Sequence, residues 1–257
     1  MIVDIHSHLL AGMDDGARDQ DEALLMAKQA VEMGITHVIA TPHHRNGFYM
    51  NHPKEILSQT SKLNSLLSQQ EIPLKVLPGM EFHLHGDISR DIEDIEQNIL
   101  PLSESNKYIL IELPYTYIPH FTESVFYKLQ LMGYIPIIAH PERNEEFQRR
   151  PNRLFDLVNQ GALGQVTAAS VVGLFGKDSQ KFSFKLLKHN LVHFIASDAH
   201  NTTSRSFELV SAYNYMEKYF SKEHRKYMTE NSIHVVNGTE FNIITPVRFE
   251  KRKKLFF

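Results

Sequence analysis

Short apolar runs alternate with longer amphipathic stretches along most of this chain. The apolar runs are rich in Val, Ile and Leu and have the length of buried β-strands. The stretches between them carry apolar residues at helical spacing, and turn or capping residues separate the two kinds of segment. This alternation predicts parallel strands joined by helical crossovers, which is an α/β architecture.

Seven runs are predicted as strands, at residues 2–8, 35–41, 74–80, 107–111, 134–139, 163–167 and 191–197. Helices are predicted at about 21–33, 54–70, 119–132, 151–161 and 179–189, and a last helix at about 204–231 precedes a short segment near 233–236. Pro53 and Pro151 suit the first turns of helices, whereas Gly34 and Gly161 suit helix ends.

Most of the predicted strands end in an ionisable side chain. His6 and His8 end the first strand, where alternation places both imidazoles on one face. Six of the seven strands deliver a His, Asp or Glu at this end. In a closed parallel barrel these ends ring one cavity, whereas an open sheet spreads them along a line too long for one cluster. The pattern therefore favours a distorted (β/α)7 barrel.

Nine of these side chains form a candidate metal site, with five imidazoles and four carboxylates: His6, His8, Asp15, His43, Glu81, Glu112, His140, Asp198 and His200. One ion of ordinary coordination number cannot use them all, so two or three divalent ions are expected. Nitrogen and oxygen donors without sulfur suit Mn²⁺, Fe²⁺ or Zn²⁺. Any one of these residues alone is more often structural, but their joint placement at strand ends favours metal binding.

Two arginines follow candidate ligands closely in the sequence. Arg143 comes three residues after His140, and Arg205 comes five residues after His200. A guanidinium group can donate two parallel hydrogen bonds to a phosphoryl group, although surface ion pairs explain most arginines. Metal ligands together with these arginines predict hydrolysis of a phosphate ester. Asp198 or a nearby histidine is a candidate to protonate the leaving group, and the sequence leaves that assignment open.

The composition of the chain narrows the class of protein further. The 257 residues, 42% of them hydrophobic, predict a single domain over 1–257 with a flexible basic tail from about 248. The net charge of −3 makes nucleic-acid binding a minority interpretation. The absence of cysteine excludes disulfides, thiolate zinc sites and phosphocysteine chemistry. Without a leader pattern or a spanning apolar run, a cytoplasmic protein without membrane insertion is expected.

Several segments resemble motifs of the polymerase-and-histidinol-phosphatase (PHP) superfamily: His6-Ser7-His8, Thr41-Pro42-His43-His44, Glu81, Ala139-His140-Pro141-Glu142-Arg143 and Ser197-Asp198-Ala199-His200. Within it, the chain most resembles the bacterial manganese-dependent protein tyrosine phosphatases of the capsular and exopolysaccharide type, the CpsB/CapC family. The residues that carry this closer resemblance are Met13-Asp14-Asp15-Gly16, Ile109-Leu110-Ile111-Glu112 and Leu174-Phe175-Gly176-Lys177.

The resemblance implies a barrel of the PHP type and a division of the nine ligands among three ions. His6, His8, Glu81 and Asp198 would hold one ion, Glu81, Glu112 and His140 a second, and Asp15, His43 and His200 a third. It also implies Mn²⁺ as the metal and a phosphate-binding role for Arg143 and Arg205. The implied substrate is phosphotyrosine in the Tyr-rich tail of a cognate bacterial tyrosine kinase, so the enzyme would regulate capsular or extracellular polysaccharide synthesis.

Two other functions remain open at this point. A PHP-family small-molecule phosphoesterase, such as a histidinol phosphatase, would keep the barrel and the metals but would need a closed pocket. A non-enzymatic domain would use the metals only to brace the fold. A monomer is the expected oligomeric state.

Overall fold

The computed structural model describes residues 1–85, 98–105 and 107–250, the side chain of Glu104 excepted. The strands are β1 Val3–Ser7, β2 His37–Ala40, β3 His43–His44, β4 Lys75–Pro78, β5 Glu81–His83, β6 Tyr108–Glu112, β7 Ile135–Ala139, β8 Leu163–Thr167 and β9 Phe194–Ala196. The helices are α1 Gln20–Glu32, α2 Pro53–Gln69, α3 Thr122–Leu131, α4 Glu145–Arg149, α5 Asn152–Asn159, α6 Ala168–Val172, α7 Lys177–Lys188, α8 Leu209–Tyr219 and α9 Lys222–Asn237.

The paired strands are parallel and follow the chain around a ring. One sheet has the order β1-β2-β4, and the other has the order β3-β5-β6-β7-β8-β9. Since β3 continues β2 and β5 continues β4 after two residues each, the nine strands occupy seven positions. The first and last positions meet in one parallel bridge between Ser7 and Ala199, where His8 N donates to Ala199 O at 2.8 Å. This arrangement confirms the predicted (β/α)7 barrel.

Two breaks in the strands distort the barrel beside the candidate site. Pro42 separates β2 from β3 and has no N–H to donate to a ladder. Gly79 separates β4 from β5, and a Cβ there would lie only 2.7 Å from Ile39 Cγ2. Beyond the two breaks the strands pair again, with His43 opposite Glu81. The breaks therefore set the register of two predicted ligands.

Apolar side chains fill the barrel and cover its outside. The inner cluster draws on every strand position: Val3, Ile5, Ile39, Leu77, Tyr108, Leu110, Ile137, Ala139, Leu163, Phe194 and Ala196. A larger cluster, which includes Met26, Ile56 and Leu186, lies between the strands and the helices. Because the interior is filled, the polar candidates are confined to the carboxyl ends of the strands, as in other barrels of this kind.

The C-terminal helical region differs from the prediction. Instead of one helix over 204–231, the chain forms α8 and α9, and the predicted separate segment at 233–236 belongs to α9. Ser221 is extended, with φ −168°, and its hydroxyl accepts a hydrogen bond from His224 N. A capping serine in this conformation ends one helix and starts the next. The short helices α4 and α6 were also not predicted.

The described part of the predicted tail is held against the barrel. Arg248 forms an ion pair with Asp156, and Phe249 stacks on His189 with ring centroids 3.7 Å apart. The backbone of Phe249 also exchanges two hydrogen bonds with the Asn152 side chain. The rest of the predicted tail, 251–257, lies outside the described residues. In the part of the chain that the structure describes, no helix has the length and apolar character needed to cross a bilayer.

Candidate active site

Four predicted ligands converge in a buried cluster at the carboxyl end of β1. The Nε2 atoms of His6 and His8 lie 3.2 Å apart. Each lies 3.3–3.5 Å from Glu81 Oε2 and from Asp198 Oδ1. Tetrahedral donors around one ion with bonds of about 2.0–2.1 Å stand about 3.3 Å from one another. The ligand atoms of His6, His8 and Glu81 therefore have the spacing of a single metal site, and Asp198 Oδ1 lies within 3.5 Å of both histidines beside it.

A second group forms on the other oxygen of Glu81. His140 Nε2 lies 2.8 Å from Glu81 Oε1 and 3.8 Å from Glu112 Oε1. His43 Nδ1 lies between the two groups, at 2.8 Å from Glu81 Oε2 of the first and 3.7 Å from Glu112 Oε2 of the second. Because its two oxygens face different groups, Glu81 has the position of a bridging carboxylate between neighbouring ions.

The third group lies at the mouth of the barrel. Asp15 Oδ1 is 3.4 Å from His43 Nε2 and 3.4 Å from His200 Nε2, and His8 also belongs to this group. Asp15 is half exposed, so this group is closer to solvent than the other two. The structure thus brings all nine predicted ligands together, and it places His43 between the second and third groups with one ring nitrogen toward each.

Unpartnered polar atoms support metal binding at this place. Within the described chain, His43 Nδ1, Glu81 Oε2 and His200 Nε2 are buried and make no hydrogen bond of acceptable geometry, although His43 Nδ1 lies 2.8 Å from Glu81 Oε2 and His200 Nε2 lies 3.4 Å from Asp15 Oδ1. Buried polar atoms in folded proteins are nearly always hydrogen-bonded, so three such atoms in one cluster require another partner. Divalent cations bound at these groups would satisfy them. The mixture of imidazole and carboxylate donors fits Mn²⁺, Fe²⁺ or Zn²⁺.

The electrostatics of the cluster favour ionised carboxylates. Burial raises the pKa of Glu81 and Asp198, but the neighbouring histidines outweigh burial and hold both values well below the ordinary range. Burial lowers the pKa of His6, yet these two carboxylates raise it above its ordinary value. For His200, burial and then the charge of His8 lower the pKa to about 4. Because a histidine nitrogen must be deprotonated to bind a metal, bound ions would displace the protons that these imidazoles hold in the metal-free site.

A second layer of polar residues orients the ligands. His8 Nδ1 donates to Asp14 Oδ2 at 2.6 Å, and His6 Nδ1 donates to Gln165 Oε1 at 3.0 Å. Both bonds leave the Nε2 lone pair directed at the cluster, as in other metal-binding histidines. His83 Nδ1 lies 2.8 Å from Glu112 Oε2 and so helps to orient this ligand.

Sequence reasoning did not select Asp14 and Gln165 as site residues. Asp14 directly precedes the predicted ligand Asp15, and two successive aspartates in one motif were the signal that could have revealed it. Gln165 is a fully buried amide in the middle of β8. A polar side chain inside such a strand was the signal that could have revealed it.

Both predicted arginines reach the edge of the metal-ligand cluster. Arg143 Nη1 and Arg205 Nη2 donate to the same atom, Asp198 Oδ2, at 2.6 and 2.9 Å. The other oxygen of Asp198 faces His6 and His8. Asp198 thus joins the metal-ligand cluster to two guanidinium groups, each about a quarter exposed to solvent. This geometry suits an anion that contacts metals and arginines together.

A parallel (β/α)7 barrel with clustered His, Asp and Glu side chains at its carboxyl edge defines the class of metal-dependent hydrolases built on barrels. The chain also matches the family model described as capsular polysaccharide synthesis, CpsB/CapC, over residues 2–237. It therefore belongs to the CpsB/CapC family, which confirms the resemblance drawn from its motifs.

Individual relatives agree with this family over nearly the full chain. The tyrosine-protein phosphatase YwqE of Bacillus subtilis (strain 168) is 44% identical over 256 residues, which are 99% of each chain. CapC of Staphylococcus aureus is 38% identical over 256 residues, again 99% of each chain. A solved structure from a study of YwqE and Streptococcus pneumoniae CpsB, described as metal-dependent tyrosine phosphatases, matches with a TM-score of 0.92 and 42% identity, covering 97% of this chain and 100% of that one.

Proposed function

We propose that this protein is a metal-dependent tyrosine phosphatase that acts in the cytoplasm on a tyrosine-phosphorylated bacterial kinase and thereby regulates capsular or extracellular polysaccharide synthesis. The observation that carries the proposal is the joint contact of Arg143 and Arg205 with Asp198, which also faces the metal-ligand cluster. The names of the relatives support phosphotyrosine as the substrate, and the family description supports the polysaccharide pathway.

The nine ligands would hold two or three divalent ions, with Mn²⁺ as the proposed metal. Bound ions of this kind lower the pKa of coordinated water and polarise phosphoryl oxygens. Glu81 would contribute to two of the metal-ligand groups, because its Oε2 faces His6 and its Oε1 faces His140. Asp14 and Gln165 would keep His8 and His6 in the tautomer that binds metal.

The arginines would bind the phosphate group of the substrate. Arg143 and Arg205 each use one terminal nitrogen on Asp198, and a guanidinium group has five N–H donors in all. The remaining donors can bind the non-bridging oxygens, where negative charge must be stabilised during phosphoryl transfer. Asp198 thus fixes both side chains before the substrate arrives, which reduces the cost of organising the site.

The leaving group makes little demand on a general acid. Tyrosine has a reference pKa of about 10, so tyrosinate leaves more readily than an alkoxide. The neighbouring histidines and Arg205 hold the pKa of Asp198 well below its ordinary range despite burial, which makes it a poor proton donor. We therefore assign Asp198 the roles of metal ligand and arginine anchor, and leave protonation of tyrosinate to water or a nearby histidine.

A panel of substrates tests the proposal. The Mn²⁺-loaded protein is incubated with a tyrosine-phosphorylated peptide from a bacterial kinase tail, the matching phosphoserine peptide and histidinol phosphate, and phosphate release is measured. The proposal predicts that the phosphotyrosine peptide has the highest kcat/KM. Preference for histidinol phosphate would instead identify a small-molecule phosphoesterase. Bound metal without turnover of any substrate would indicate a non-enzymatic domain.

A further inference from the structure

We infer that Phe175 and Tyr115 form an aromatic clamp that selects aryl phosphates over alkyl phosphates at this site. The inference rests on the proposed function and extends it, because it assigns substrate selectivity to two residues outside the metal ligands and the arginines. Neither ring belongs to the buried core of the barrel.

The two rings line one cleft with both arginines. This cleft has a volume of about 340 Å³ and is lined by Tyr115, Arg143, Phe175, Ser179 and Arg205. Binding sites for small organic groups have volumes of about 300–1,000 Å³, so the cleft has room for one aryl phosphate. Since the arginines mark the phosphate position, the group attached to the phosphate would extend between the two rings.

Phe175 is held at this position by a rigid turn. Gly173 and Gly176 on either side have φ angles of 92° and 91°, a left-handed conformation that favours glycine. Gly176 N donates to Gly173 O at 3.1 Å, and Leu174 N donates to Ala169 O at 2.9 Å. The turn therefore fixes the direction of Phe175 without burying its ring in the core.

Phe175 also contacts the phosphate-binding machinery. The guanidinium carbon of Arg143 lies 5.6 Å from the centre of the Phe175 ring, which is a cation–π distance. A ring in this position lies beside an anion bound to Arg143. An aromatic substrate would thus contact Phe175 as soon as its phosphate reached Arg143.

Tyr115 supplies the second wall. Its backbone carbonyl accepts a hydrogen bond from Glu145 N at 2.9 Å, but its side chain is 63% exposed. Tyr115 also lines a small cavity of about 30 Å³ together with Glu112, His140 and Arg143. It therefore stands between the metal-ligand groups and the aromatic cleft. A substrate ring that covers the exposed Tyr115 ring would remove apolar surface from water. An alkyl phosphate would cover less of this surface.

A binding experiment separates the clamp from catalysis. The affinities of the Mn²⁺-loaded protein for phenylphosphonate and methylphosphonate are measured by calorimetry for wild type, Phe175→Leu and Tyr115→Leu. The control is Leu174→Ala, which alters a 62% exposed side chain on the same turn that does not line the cleft. Leucine keeps most of the apolar volume of Phe175, and thermal unfolding of each variant checks that it is folded.

The clamp predicts that wild type prefers phenylphosphonate and that each leucine variant loses about 5- to 10-fold of this preference, the size expected for one aromatic pair. The methylphosphonate affinity should change little, and Leu174→Ala should match wild type. An unchanged preference in both variants would overturn the inference, as would equal loss of both phosphonates, since Phe175 would then act only by holding Arg143. Selective phenylphosphonate binding without phosphotyrosine turnover would refute the proposed function but not the clamp.

Discussion

Replacement of Asp14 by asparagine tests the second layer of the metal site. The Asp14 carboxylate accepts three hydrogen bonds, from His8 Nδ1 at 2.6 Å, from His43 N at 2.9 Å and from Gly16 N at 2.9 Å. The first two reach Oδ2 and the third reaches Oδ1. An asparagine amide has only one acceptor oxygen, so in either orientation its NH₂ group faces an N–H donor.

The expected effect follows from these contacts. Asp14→Asn loses one or two hydrogen bonds, depending on the orientation of the amide, and it loses the negative charge that fixes the His8 tautomer. A charge-assisted hydrogen bond contributes about 1.5–3 kcal/mol, and loss of a residue behind a metal ligand typically weakens metal affinity by about 10- to 100-fold. The two figures agree, because tenfold in affinity corresponds to about 1.4 kcal/mol. We therefore expect Mn²⁺ affinity to fall by about 10- to 100-fold in this variant.

Titration of metal-free protein with Mn²⁺ in the presence of a competing chelator measures this affinity. The matched control is Asp19→Asn in the same loop, because Asp19 caps α1 through Glu22 N and asparagine is an equally good cap. Activity of Asp14→Asn should return close to that of wild type once the metal is saturating. Unchanged affinity would refute the tautomer argument, whereas lost activity at saturating metal would place Asp14 in the reaction itself.

Three further predictions concern pH, phosphate binding and stability. Metal binding should release protons and weaken as pH falls, because the pKa values of His6 and His8 lie above the ordinary value in the metal-free site. Calorimetry in buffers of different ionisation heat measures the protons released. A metal affinity independent of pH would contradict this prediction. Arg205→Lys should lower kcat/KM for a phosphotyrosine peptide by about 100-fold, because the lysine ammonium lacks the planar guanidinium that can contact Asp198 and the phosphate together. Steady-state kinetics measure kcat/KM, and a value unchanged from wild type would refute the prediction. Burial lowers the pKa of His193 from 6.5 to about 3. As pH falls below 6.5, His193 therefore becomes protonated in the unfolded chain but stays neutral in the folded one. Protonation of His193 in the unfolded chain should therefore remove roughly 2 kcal/mol from the free energy of unfolding at pH 5. Denaturant unfolding should show that His193→Gln loses less stability on acidification than wild type. Equal losses in the two proteins would count against this prediction.

The sequence predicted the barrel and the ligands because both depend on a local signal. Buried parallel strands form continuous apolar runs, and barrel topology places the residues after each run around one opening. Once seven runs were recognised, side chains as distant in sequence as His6 and Asp198 could be assigned to one site. The structure places them 3.5 Å apart.

The remaining features depend on contacts between distant segments. The sequence predicted a strand end at Pro42 and a continuous strand through Gly79, and only the pairing of His43 with Glu81 shows that both strands break and then resume. The role of Gln165 could be assigned only from the closed barrel, which brings its amide oxygen within 3.0 Å of His6 Nδ1. The division of the last helix required the extended conformation of Ser221, which a helical pattern of apolar residues does not reveal.

The most direct test of the account is phosphate release from a tyrosine-phosphorylated peptide by chelator-stripped protein, with and without added Mn²⁺. The same assay is run on His140→Ala, which removes a ligand 2.8 Å from Glu81, and on His120→Ala, an exposed histidine that serves as control. Metal-dependent catalysis at this site predicts activity that returns with Mn²⁺ in wild type and His120→Ala but not in His140→Ala. Full activity without metal, or a fully active His140→Ala, would contradict it.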